Sequence, residues 1–269
     1  MRLASLLFHD VVGRDAADSG FSGPVADRYK LPLPLFEAHL EGIGRARGEA
    51  PVLVRAPAEA YVSGFALTFD DGGVSYATAA ADRLEARGWR GHCFVSTDQI
   101  GRRGFLTVDQ IRDLDRRGHV IGSHSATHPT RFSACPWPRM VEEWRTSASA
   151  LANILGRPVT VASLPGGYFS RAAALAAAAA GVRVLFTSEP VVVARAVGEC
   201  VVLGRFAVHE STPIEHVAAL ATGGGPAVWR ERGIWRLKKT IKPLLGPAYP
   251  RVGAWLAARR TTTARHLDR

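Results

Sequence analysis

The chain has 269 residues, 47% of them hydrophobic, with a formal net charge of +10 and three cysteines; that is enough for one large domain with a substantial core. Cys93, Cys135 and Cys200 are too few and too scattered for a disulfide framework or a Cys-x-x-Cys metal or redox pair. Residues 230–269 hold eleven Lys or Arg against Glu231 and Asp268, so the body is close to neutral, which argues against a basic nucleic-acid groove over it.

The first residues, Met1–Phe8, are too short an apolar run for a signal peptide or a membrane span, and no later stretch reaches about 18 uninterrupted apolar residues. A cytoplasmic protein is expected. Leu3–Phe8 reads as a first strand ending in Phe8-His9-Asp10. A lone histidine at a strand end is most often structural, but this one follows the strand on the side where functional residues gather in a parallel barrel. Residues 13–33 contain Gly13, Gly20, Gly23, Pro24 and Pro32, and read as a long loop anchored by Phe21 and Tyr29, either a lid or substrate wall or a passive excursion. Leu35, Phe36, Leu40 and Ile43 then recur at helical spacing, so a helix is expected over Leu35–Arg47.

A strand over Ala66–Phe69 runs into Asp70-Asp71-Gly72-Gly73. Two adjacent carboxylates repel each other, and a cation or a shared proton is the usual compensation; a metal is the first expectation. A helix over Tyr76–Arg87, a strand over Gly91–Val95, a helix opened by the Thr107/Gln110 capping box and stopped by Gly118, and a strand over Val120–Ser123 follow. This last strand enters Gly122-Ser-His-Ser-Ala-Thr-His-Pro129, where His124 and His128 are four apart and in a helical turn would share one face. With one of the two carboxylates they make a two-histidine, one-carboxylate set that leaves positions open for water and substrate.

Pro138–Leu155 reads as a helix, Val159–Ser163 as a strand, Arg171–Ala180 as a helix, and Val182–Thr187 and Val201–Phe206 as strands. Some seven alternations of strand and helix require parallel βαβ architecture, and both an open doubly wound sheet and a closed barrel fit the pattern. Beyond residue 228, Ile234, Leu237, Ile241, Leu244 and Leu245 fall on one helical face, with Arg236, Lys238, Lys239 and Lys242 around the other side. Trp229, Trp235, Tyr249 and Trp255 accompany them. This basic amphipathic helix is either packed on the body with a solvated charged face or, through residues 229–260, attached to an anionic membrane surface. The expected division is a catalytic domain over 1–228 and a basic helical tail over 229–269.

Thr68-Phe69-Asp70-Asp71-Gly72 followed by His124-Ser125-x-x-His128 resembles, in order and spacing, the polysaccharide deacetylase family, also called the NodB-homology or carbohydrate esterase 4 family. The resemblance covers about residues 3–210. It implies an α/β fold in the form of a distorted seven-stranded (β/α) barrel. It also implies a hydrolase that removes N-acetyl groups from an N-acetylated sugar in a polysaccharide or a lipid-linked glycan precursor. Asp71, His124 and His128 match the family's metal ligands and Asp70 its general base. Zinc suits the imidazole content, and the same set would accept cobalt, nickel or iron.

Ser163-Leu-Pro-Gly-Gly-Tyr168 stands where the family's third motif falls, so that by position Gly166 would offer an oxyanion N–H and Tyr168 would line the groove. The motif's usual arginine is absent, with Ser163 or Ala162 near its place, which leaves open what pairs with the base Asp in place of the salt bridge of the best-known members. For the general acid, His209 in Ala207-Val-His209 stands at the fifth motif, while His9 in Phe8-His9-Asp10 resembles the Tyr-His-Asp segment of other branches; His9 is preferred. Ser125 is expected to brace its motif, and Ser188 and Glu189 to stand near the pocket. The rivals are an amide hydrolase of the same fold with a non-sugar substrate and a catalytically inactive glycan- or membrane-binding protein.

Overall fold

The structure is a computed structural model that describes residues 2–13, 18–167 and 169–245, leaving aside the side chains of Lys238 and of residues 240–245. The chain divides after Trp229 into two compact units. In chain order the first holds β1 (Leu3–Phe8), β2 (Val11–Val12), β3 (Leu31–Pro32), α1 (Leu33–Arg47), β4 (Gly64–Phe69) and α2 (Ala81–Glu85), the last entered through a π-helical turn over Tyr76–Ala80. There follow β5 (His92–Val95), α3 (Val108–Arg116), β6 (Val120–Ser123), α4 (Trp137–Leu155), β7 (Val161–Ser163), α5 (Arg171–Ala179), β8 (Val184–Phe186), β9 (Arg195–Val197), β10 (Cys200–Leu203), β11 (Phe206–Ala207) and α6 (Ile214–Ala221). α7 (Gly225–Leu245) starts in this unit and runs past the division.

The main sheet has the order β11-β1-β4-β5-β6-β7-β8-β10-β9, with every pair parallel except β10–β9. β10 and β11 are separated only by Gly204 and Arg205, yet stand far apart in that order. The chain itself therefore spans the seam of a strongly curled sheet with seven parallel positions, the distorted seven-stranded (β/α) barrel of the expectation. The final strand, expected as one run over Val201–Phe206, is broken. A Cβ on Gly204 would collide with the carbonyl oxygens of Glu189 and Val191, so only glycine lets the strand bend there and cross to β1.

Four elements escaped the sequence: β2, β3, β9 and α6. β2 and β3 pair over two residues each and β9 is a three-residue edge strand with two exposed positions, all too short to show a period. α6 covers eight residues and packs on α1; a Cβ on Gly42 would come within 2.9 Å of Ile214 Cγ2, so the glycine in α1 permits the close approach.

The period of two along the strands sorts side chains between two regions. Ala66, Phe94, Val161, Val184, Phe186, Val201 and Leu203 pack with one another inside the curl. The alternate residues Phe65, Leu67 and Phe69 face α1, α2 and α6, while Ala162, Leu185, Cys200 and Val202 face α4 and α5. Helix ends follow local chemistry: Thr107 Oγ1 accepts the Gln110 N–H at 3.2 Å while Gln110 Oε1 accepts the Thr107 N–H at 2.9 Å, and a cap of this kind is worth about 1 kcal/mol. α1 and α4 both end on a left-handed glycine, Gly48 and Gly156.

Histidines without a motif have structural work. His92 donates from Nδ1 to the Leu67 carbonyl at 3.1 Å and accepts the Val54 N–H on Nε2 at 2.9 Å; burial pushes its pKa down to about 4, so it is neutral. His119 lies between Tyr76 (Oη to Nδ1, 2.7 Å) and Glu85 (Nε2 to Oε1, 2.9 Å), tying α2 to the start of β6. His39 donates from Nε2 to the Thr212 carbonyl at 3.1 Å. His266 lies outside the described residues.

Candidate active site and metal centre

Strand parity places the first carboxylate. Ala66 and Thr68 point into the curl, so Asp70, two residues further on, points the same way and is 5% exposed. Asp71 would by the same alternation face outward, but its backbone is in the left-handed region at φ 74°, which turns its side chain back toward the same cavity. A left-handed conformation costs a residue other than glycine about 1–3 kcal/mol. Ser125 (φ 63°) and His128 (φ 55°) share it, so the three positive-φ residues other than glycine among those described all belong to this site.

Asp71, His124 and His128 each offer a ligand atom, all within 4.8 Å of one another. Asp71 Oδ1 is 3.4 Å from Nε2 of both imidazoles. His124 is held by its other nitrogen, Nδ1–H donating to the Ser163 carbonyl at 2.9 Å, so that once Nε2 gives up its proton its lone pair faces Asp71. The donor set and the fixed tautomer fit a divalent metal. His128 is the more open member, with its side chain 23% exposed against 2% for His124.

The arginine missing from the third motif is supplied by the last strand. Arg205 continues the inward parity of Val201 and Leu203 and is fully buried. Its Nη1 donates to Asp70 Oδ1 at 2.7 Å and to Thr68 Oγ1 at 3.3 Å. Nη2 donates to Asp70 Oδ2 at 2.8 Å and to Ser163 Oγ at 2.6 Å, and Nε donates to the Thr187 carbonyl at 3.1 Å. All five guanidinium N–H groups are thus satisfied, with the Phe94 and Phe186 rings beside the group at 5.8 and 6.0 Å. Ser163, in the place of the missing arginine, donates from Oγ to Asp70 Oδ2 at 3.0 Å. The open question of what pairs with Asp70 is thereby answered: the partner comes from a different strand.

Electrostatics follow from these contacts. Burial alone would raise Asp70, but the Arg205 charge, then that of His124, overturns the penalty and holds its carboxyl below the ordinary range. Asp71 is likewise penalised by burial, yet its contact with His124 and the charges of His9, His124 and His128 hold it well below its ordinary value. Both carboxylates are ionised at neutral pH.

Both candidate acids pack on one ring. Tyr29, from the long loop, has its centroid 4.5 Å from His9 and 4.5 Å from His209. Pairing of β1 with β11 brings the two histidines together. His9 is close enough for its charge to lower both Asp70 and Asp71, and its Nδ1 is buried without a hydrogen-bond partner.

The same loop reaches the metal set. Phe21 packs at 4.9 Å on His128 and at 5.1 Å on Phe105, and Ser19 donates to the buried Asp10 carboxylate at 2.5 Å, as does Ser75 at 2.8 Å. The loop's two aromatics, Phe21 and Tyr29, thus pack on histidines of the site.

Gly166 follows Ser163 in a turn at φ 65°, and Tyr168 lies outside the described residues. Ser125 braces its motif as expected, its Oγ accepting the His128 N–H at 3.1 Å. Glu189 is buried and paired with Arg195, and its carbonyl accepts the Arg205 N–H at 2.9 Å. The structural role of Arg205 was missed, although its signal is in the sequence: an arginine in register with Val201 and Leu203, in an otherwise apolar strand, requires a buried anion.

The family described as Polysaccharide deacetylase matches residues 45–185, just over half of the chain. A chitin deacetylase from Pestalotiopsis sp is 31% identical over 143 residues, which cover 51% of this chain and 47% of that protein; the chain spans about half the length of this curated relative. Among solved structures, the Streptococcus pyogenes deacetylase PplD in complex with acetate is similar with a TM-score of 0.67 at 18% identity, over 84% of this chain and 99% of that one. IcaB from Ammonifex degensii gives 0.64 at 21% identity, over 82% and 97%. At such identities the likeness is one of fold. The chain belongs to the polysaccharide deacetylase family.

Proposed function

We propose that this family member is a metal-dependent N-deacetylase that removes the acetyl group from an N-acetylated sugar in a polysaccharide or a lipid-linked glycan precursor. The observation that carries the reading is the division of labour between adjacent carboxylates. Asp71 faces two imidazoles at 3.4 Å, whereas Asp70 is gripped through both oxygens by Arg205. Asp71, His124 and His128 would hold the metal, zinc by preference of the donor set. A divalent cation held there supplies Lewis-acid polarisation of the water and of the amide carbonyl.

The protein's own groups do the rest. Asp70, kept ionised by Arg205, accepts the proton of the attacking water as its oxygen bonds to the carbonyl carbon. Gly166 is assigned by position to the oxyanion N–H, and Tyr168 to the groove. His9 gives a proton to the leaving nitrogen as the C–N bond breaks, so the products are acetate and a free amine on the sugar. The electrostatic reach of His9 to both carboxylates supports its choice over His209.

The catalytic unit in this reading is residues 1–228, and the basic residues beyond it form a tail that meets an anionic membrane from the cytoplasmic side. In support, Trp229 and Leu237 on α7 are 67% and 61% exposed among Arg230, Arg232, Arg236 and Lys239. No helix of the described residues is long and apolar enough to cross a membrane.

Acetate release from a panel of N-acetylated oligosaccharides, with chelator and with zinc restored, tests the reaction. Chelator-sensitive release is the expected result; zinc binding without release on any sugar would sink the substrate assignment. Asp70→Asn should keep the metal and lose about 10²–10⁴ in turnover, whereas His128→Ala should lose both. Equal loss of metal from the two variants would overturn the roles.

A further inference from the structure

The segment that carries both histidines is held in an uncommon conformation, and each of its five backbone N–H groups has an acceptor. The His124 N–H donates to the Val95 carbonyl at 2.9 Å, the Ser125 N–H to Ser123 Oγ at 3.2 Å and the His128 N–H to Ser125 Oγ at 3.1 Å. The remaining two, those of Ala126 and Thr127, both donate to Glu143 Oε2, at 3.1 and 2.8 Å. Thr127 Oγ1 adds a hydrogen bond to Glu143 Oε1 at 2.6 Å.

Glu143 lies on α4, is 5% exposed, and has Arg139 at 3.8 Å on its Oε1. Its carboxylate thus accepts from two consecutive backbone N–H groups and a hydroxyl, all between the two imidazoles. Without it, two N–H groups would be left unsatisfied in a loop with left-handed Ser125 and His128. The charge also adds strength, since an ionised acceptor makes hydrogen bonds about twice as strong as a neutral one.

We propose that Glu143 is a positioning residue for the metal centre: it ties the His124–His128 loop to α4 and so fixes the separation and aim of the two imidazoles. It touches neither imidazole in any contact described above and acts through the backbone of Ala126 and Thr127. The inference rests on the reading of Asp71, His124 and His128 as metal ligands.

The test is calorimetric titration of zinc into metal-free protein, alongside thermal denaturation in chelator. Glu143→Ala should bind zinc about 10–100-fold more weakly, the loss typical of a residue that orients a ligand, and Glu143→Gln, which keeps an acceptor for the two N–H groups, should recover most of that loss. A folded Glu143→Ala protein that melts earlier yet binds zinc as tightly as the wild type would overturn the proposal, because a merely structural role lowers stability alone. Should that variant not fold, Glu143→Asp keeps the charge but falls one methylene short; weakened affinity supports the proposal and unchanged affinity overturns it. A wild-type protein that takes up no zinc, cobalt, nickel or iron would refute the metal reading itself, a result distinct from either.

Discussion

Arg205 and Asp70 form a buried, doubly hydrogen-bonded ion pair, and the two can be removed separately or together. Arg205→Met leaves the Asp70 carboxylate in the curl with only Ser163 as donor, and Asp70→Asn leaves a buried guanidinium without its anion. Breaking a buried pair from one side costs about 3–5 kcal/mol. Each single variant should therefore lose about that much stability at pH 7. The double variant removes both charges and should lose far less than the sum, a coupling outside the few tenths of a kcal/mol seen between independent sites.

Urea denaturation of the four proteins in excess chelator measures this without a contribution from metal binding. The pH dependence gives a second check. In the wild type Asp70 titrates below its ordinary value, so the pair's contribution is complete above the unfolded pKa of about 3.9 and is lost as pH falls through the folded value. In Arg205→Met burial dominates and raises Asp70, so its penalty is relieved as pH falls, and the gap between variant and wild type should narrow on acidification. Additive single losses with a gap independent of pH would refute the account of Asp70 given above.

Replacing the two candidate acids separates them: His9→Ala should lower kcat by about 10²–10⁴, while His209→Ala should leave kcat within a few-fold. The reverse order, read from steady-state acetate release, would move the role to His209. Removal of residues 230–269 should weaken sedimentation with vesicles rich in anionic lipid and leave binding to neutral vesicles unchanged, since each basic residue near such a surface contributes about 1 kcal/mol. Equal partitioning with and without these residues would dismiss the membrane reading.

Much of this protein was legible because its signals are local. The alternation Ala66-Leu67-Thr68-Phe69 placed β4, and strand parity alone aims Asp70 inward; the Thr107/Gln110 pair opened α3; four-residue spacing joined His124 to His128. The ordering of strand and helix gave parallel architecture, and resemblance to a family supplied its closure. Short β2, β3 and β9 carry too few residues to show a period, and α6 depends on Gly42 of a distant helix.

Where a role depended on residues far apart in the chain, only the tertiary structure decided it. The salt-bridge partner of Asp70 lies 135 residues away, reached because Gly204 bends the last strand across the seam. Tyr29 meets His9 and His209 because β1 pairs with β11. Glu143 serves the histidine loop from a helix 16 and 17 residues on. A sequence records which residue can bear a charge or turn a corner, since those are properties of single residues and their neighbours. Which charge neutralises which in a water-free interior is set by the closing of the sheet, because only burial makes an unpaired charge costly enough to demand a particular partner.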